Sequence, residues 1–107
     1  MLKQRFDTAT LMRITDTSMI YTCACPAQIA QDILSMRKLY AYQQDCMSEE
    51  DSSPEVHLLI ADAVEHNHAR METTLDRVLT IQNWNRETWE MPEEMRKRLK
   101  TTFDREG

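Results

Sequence analysis

The sequence predicts an all-α fold: an antiparallel helical hairpin with a short C-terminal helix and an irregular N-terminal arm, expected to complete a four-helix bundle by dimerisation. Three observations carry that expectation. The one glycine is the last residue, Gly107, which removes tight type I′ hairpins and phosphate-cradling glycine loops. Apolar residues recur at spacings of three and four over two long stretches. Pro26 and Pro54 stand at the start of those stretches and Pro92 at the start of a shorter one, where the missing N–H is harmless.

The whole chain, 1–107, reads as a single helical domain. Residues 1–25 mix Thr8, Thr10, Thr15, Thr17 and Thr22 with Leu11, Ile14 and Ile20. That suits an arm or a short strand better than a helix. From Pro26 to Met47, the residues Ile29, Ile33, Met36, Tyr40, Gln43 and Met47 form the stripe of an amphipathic first helix. A polar break follows at 48–54. Ser53 is placed to cap, Pro54 to begin and Glu55 to favour the positive end of a second helix over 54–84. Its expected face is Val56, Ile60, Ala63, Val64, Met71, Leu75, Val78 and Ile81. So short a break makes the two helices antiparallel neighbours, with Met36, Tyr40, Ile60 and Met71 in the core. A third helix is expected over 92–103, with Met95, Leu99 and Phe103 on its apolar side. Two long helices cannot cover each other on all sides, hence the expected homodimer.

Hydrophobic residues make up 41% of the chain, which excludes wholesale disorder. The net charge of −5 is unevenly spread. Asp45, Glu49, Glu50, Asp51, Glu55, Asp62, Glu65 and Glu72 face Arg70 alone, whereas Arg96, Lys97, Arg98, Lys100 and Arg105 face only Asp104. An acidic middle with a basic tail favours self-association or a protein partner over nucleic acid. No apolar run reaches the roughly 20 residues that span a bilayer, so no membrane partner is expected. With no signal-peptide pattern and an odd count of 3 cysteines, the expectation is a cytoplasmic protein with reduced thiols.

Glu65, His68 and Glu72 are the sharpest local pattern, falling within about 60° of one another on a helix. Glu-x-x-His is similar to the spacing in ferritin-like di-iron bundles, and the overlapping His-x-x-x-Glu is similar to that in hemerythrin-like bundles. The resemblance covers one helix. It implies a site for Fe²⁺, Mn²⁺ or Zn²⁺, for which the first helix offers no glutamate and only Asp32 in the facing stretch. Otherwise Glu65 and Glu72 stand on the flank of the apolar stripe, where acids stay solvated. Cys46 and His57 are brought near each other by the break. Cys23-x-Cys25 precedes the first helix, whose dipole favours the Cys25 thiolate, making Cys25 the expected faster-reacting thiol or part of a soft-metal pair. Trp84, Trp89 and Met91 either fasten the third helix or form a partner-binding patch. No order of Ser, His and Asp suggests a catalytic triad, and an enzyme is not the expectation. The sequence therefore supports a small helical interaction or regulatory module, acting through self-association or a protein partner. The alternative is a metal or thiol protein built on the residues just named.

Overall fold

The computed structural model describes residues 2–20, 23–47 and 53–95. It contains α1 (Thr8–Ile20), α2 (Cys25–Met47) and α3 (Pro54–Ile81), with no strand among the described residues. α1 packs on α2 and α2 on α3. Contacts between α2 and α3 pair Arg37 with His68, Tyr40 with Glu65 and Gln43 with His57, so the two run in opposite directions.

Residues 8–20 correct the expectation of an irregular arm. The Asp7 carboxylate accepts the Thr10 N–H at 2.7 Å and its carbonyl accepts the Leu11 N–H at 3.1 Å, which starts the helix. Leu11, Ile14 and Ser18, spaced three and four apart, are buried. Threonine-rich composition is a weak preference, and burial of this face overrides it.

Ala24 has no capping side chain for α2, and the buried Ser18 of α1 serves instead. Its Oγ accepts the Ala27 N–H at 3.2 Å and donates to the Cys23 carbonyl at 3.0 Å. One hydroxyl thus ties the end of α1 to the beginning of α2. α3 starts at Pro54 with Ser53 extended at the cap position, but the Ser53 hydroxyl makes no capping bond.

At its other end α3 closes without glycine. Asn83 takes the left-handed conformation (φ 57°), the Asn83 N–H reaches the Thr80 carbonyl and the Trp84 N–H reaches the Leu79 carbonyl, both at 3.0 Å. That is a Schellman ending with asparagine in the glycine position. The chain then turns through Asn85, whose side chain accepts the Glu87 and Thr88 N–H groups. Of the expected third helix, a first turn at 93–95 is present, while Leu99 and Phe103 lie outside the described residues, as does the break at 48–52.

The core gathers at one end. Phe6, Leu11, Ile14, Ala30, Ile33, Leu75, Leu79, Trp84 and Met91 form it. α1 is about 20 Å long beside about 35 Å for α2 and about 42 Å for α3, so it accompanies only part of the pair. The radius of gyration of 17.3 Å exceeds the roughly 13 Å of a compact chain this size, in keeping with an elongated body of 58 × 27 × 18 Å.

The stripe expected to fill the core is displaced. On α3 the buried track is Ala61, Val64, His68, Glu72, Leu75 and Leu79. Met36, Tyr40, Ile60 and Met71 are only half-buried, and Val56 and Ile81 are exposed. The inward seam carries two polar residues, and a count of apolar positions rotates the face away from them. Leu75→Ala is therefore expected to destabilise the fold by about 2–5 kcal/mol, and Met71→Ala by less. Ser18→Ala is expected to remove about 1 kcal/mol. Urea unfolding followed by circular dichroism checks all three.

Candidate functional site

α2 carries Arg37 inward, and α3 carries His68 and Glu72 toward it, one helical turn apart. His68 is 1% and Glu72 4% exposed. Arg37 Nε donates to His68 Nε2 at 3.0 Å, Nη1 to Thr8 Oγ1 at 3.2 Å, and Nη2 to Glu72 Oε2 at 3.2 Å. Nη2 also donates to the Phe6 carbonyl. Glu72 Oε2 accepts the backbone N–H groups of Arg5 at 2.8 Å and Phe6 at 2.9 Å. The cluster therefore pins the segment before α1 across both long helices.

Its protonation follows from the donors. A guanidinium only donates, so His68 Nε2 holds a lone pair and its proton sits on Nδ1, 3.5 Å from Glu72 Oε1. Burial lowers the His68 pKa; the Glu72 charge opposes this and the Arg37 charge adds to it. The buried cluster is thus one cation, one anion and a neutral imidazole.

This geometry corrects the placing of Glu72 on a solvated flank, and it redirects the expected metal ligands. Arg37 takes the lone pair of His68 and shares Glu72 with two backbone donors. Glu65 accepts the Tyr40 hydroxyl at 3.0 Å, and burial together with that bond raises the Tyr40 pKa. Asp32 is exposed and lines a different groove with Met36, Asn67 and Met71. Among the described residues no group of three or more His, Cys, Asp or Glu side chains is arranged to hold a metal ion. His57 meets Gln43 at 2.6 Å rather than standing as a ligand. Arg37 was missed by sequence reasoning. Its signal was a basic residue four positions after Ile33, on the inward stripe.

Trp84, Trp89 and Met91 correct the partner-patch alternative. Trp84 and Met91 are buried in the core, and Trp89 sets its ring edge-on to Phe6 at 6.2 Å between centroids. Arg86 lies over the Trp89 ring at 5.9 Å. Trp89 has φ 58°, a left-handed conformation unfavourable for a bulky residue, held by its N–H bond to the Asn85 carbonyl at 2.8 Å. These side chains fasten the chain after α3 against the core.

All three cysteines are free. Gln82 Nε2 donates to Cys23 Sγ at 3.3 Å. A backbone bond from Cys25 lowers the Cys23 pKa, burial opposes it, and the Cys25 thiol and Gln82 add to the lowering. Donation to Cys23 and its charge raise the Cys25 pKa. The two shifts run against the expectation that the start of α2 favours the Cys25 thiolate, because the bonds between the two thiols act on Cys23 and Cys25 in opposite directions.

Comparison of the chain with protein-family models, curated proteins and solved structures finds no match. No helix among the described residues is long and apolar enough to cross a membrane.

The buried histidine has a pH consequence. Because its folded pKa lies below the ordinary value of 6.5, the unfolded chain binds more protons just below that pH. Stability is therefore lost as pH falls through 6.5 toward the lowered value. Exposed His66, raised mainly by its bond to the Asp62 carbonyl, works in the opposite direction. Urea melts at pH 7.5 and 5.5 are expected to show a larger acid-side loss in the wild type than in His68→Gln, which keeps an acceptor for Arg37 but does not titrate there.

Proposed function

We propose that this chain is a helical interaction module that works by self-association, two copies packing their α2–α3 faces together into a four-helix core. The single observation that carries this is a second apolar seam on the same two helices, half-buried along its middle and exposed at Val56, Leu39 and Ile81. On α3 it follows Val56, Ile60, Met71, Val78 and Ile81, and on α2 Ile29, Met36 and Leu39. Ile81 is 78%, Val56 50% and Leu39 43% exposed. Between the helices this seam opens into a groove of about 390 Å³ lined by Met36, Leu39 and Met71, with Asp32, Ser35 and Asn67 around them.

A second copy suits this face for two reasons. The seam keeps the three-and-four spacing by which helices interdigitate, on both α2 and α3, so a two-fold axis matches each ridge to an equivalent groove. Its borders carry exposed charges of both signs, Asp32 on α2 and Arg70 on α3, so that an isologous contact can set unlike charges together. The other seam of the same helices is already occupied by α1, Phe6 and Trp89. One face closes the monomer and the opposite face remains for assembly.

Sedimentation equilibrium tests this. The wild type is expected to be a dimer at tens of micromolar, and Met36→Asp or Ile60→Asp a monomer with unchanged helix content. A wild-type mass that stays monomeric up to about 100 μM would overturn the proposal, since it leaves the association weaker than about −5.5 kcal/mol.

A further inference from the structure

We propose that Cys23 and Cys25 form a thiol–disulfide exchange site, in which Cys23 attacks small disulfides entering the cavity between the start of α2 and the turn after α3. This goes beyond the self-association reading and does not depend on it. The cavity holds about 590 Å³ and is lined by Cys23, Ile81, Gln82, Glu93, Glu94 and Met95 among others. Cys23 presents its sulfur there with the Gln82 amide 3.3 Å away, and Cys25 stands two residues on, exposed at the first position of α2.

The chemistry follows from those positions. The Cys23 thiolate attacks one sulfur of R–S–S–R, forming a Cys23–S–S–R bond while the old S–S bond breaks and RS⁻ leaves to take a proton from water. Cys25 then loses its proton to solvent and attacks the Cys23 sulfur. A Cys23–Cys25 disulfide forms and the second RS⁻ departs. The protein dithiol is oxidised by two electrons and the small disulfide is reduced to two thiols. Hydrogen bonds onto Cys23 and the N-terminus of a 23-residue helix beside it favour the attacking thiolate.

Gln82 links the site to the core, because its Oε1 accepts the Trp84 indole N–H at 2.9 Å. Disulfide formation withdraws the thiolate from the Gln82 amide and shifts the surroundings of Trp84.

The test uses the full reduced chain at neutral pH with cystamine as the probe, and follows each cysteine by fragment-resolved peptide mass mapping. Cys23 is expected to be modified first, a result that needs no variant to fold. Wild type should proceed to a Cys23–Cys25 disulfide with a change in tryptophan emission, whereas Cys25→Ser should stop at the mixed disulfide on Cys23. Faster modification of Cys25 or Cys46, or absence of the Cys23–Cys25 disulfide, would each overturn the proposal.

Discussion

Everything about how this chain closes depends on the Arg37 guanidinium. This half-buried group touches three separate pieces of the fold at once: the segment before α1, the first residue of α1, and the polar pair on α3. An aliphatic side chain at this place would leave Glu72 buried without its guanidinium, facing only two backbone N–H groups and the His68 imidazole. Desolvating an ion pair offsets much of its Coulomb attraction, so the cluster is a poor device for raw stability. What it supplies is register. Glu72 binds the Arg5 and Phe6 N–H groups, Arg37 binds the Phe6 carbonyl, and Phe6 is thereby set where its ring meets Trp89. The aromatic closure of the core is downstream of an electrostatic choice.

The all-α class, the limits of α2 and the start of α3 were legible, because prolines act locally on the backbone; the end expected at 84 lies three residues too far, since the Asn83 turn closes the helix at Ile81. Pro54 begins α3 and the helix ends where Ile81 ends the apolar periodicity. The inward face was harder to read. Apolar periodicity marks both seams of α3 equally, one through Val64, Leu75 and Leu79 and one through Ile60, Met71 and Val78. Only the polar residues distinguish them, since His68 and Glu72 fall on the first and find Arg37 there. The same three side chains that suggested a metal face were instead split among protein donors, which no spacing within a single helix can reveal. α1 was missed for a related reason: its three buried positions have partners only once α2 is folded beside them.

Lack of glycine shapes the region around Cys23 and Trp84. Left-handed positions still occur, at Asn83 and Trp89. Asparagine bears that conformation readily, but tryptophan does not, so Trp89 relies on its contacts with Phe6 and Arg86. The turn is thus held by side-chain packing rather than by backbone freedom, and Gln82 within it bonds both a thiol and an indole. Packing at this end and a partly exposed apolar seam along the α2–α3 pair give the molecule one closed face and one open one.

A double-mutant cycle between Arg37→Met and Glu72→Gln, measured by urea unfolding at pH 7.5, tests the role of the buried cluster most directly. Each single substitution leaves a charge buried without its partner, and about 3 kcal/mol or more of stability is expected to be lost each time. Together they remove both charges, so the double variant is expected to lose less than the sum by about 2 kcal/mol. Losses that simply add, to within about 0.5 kcal/mol, would contradict the central place given to Arg37.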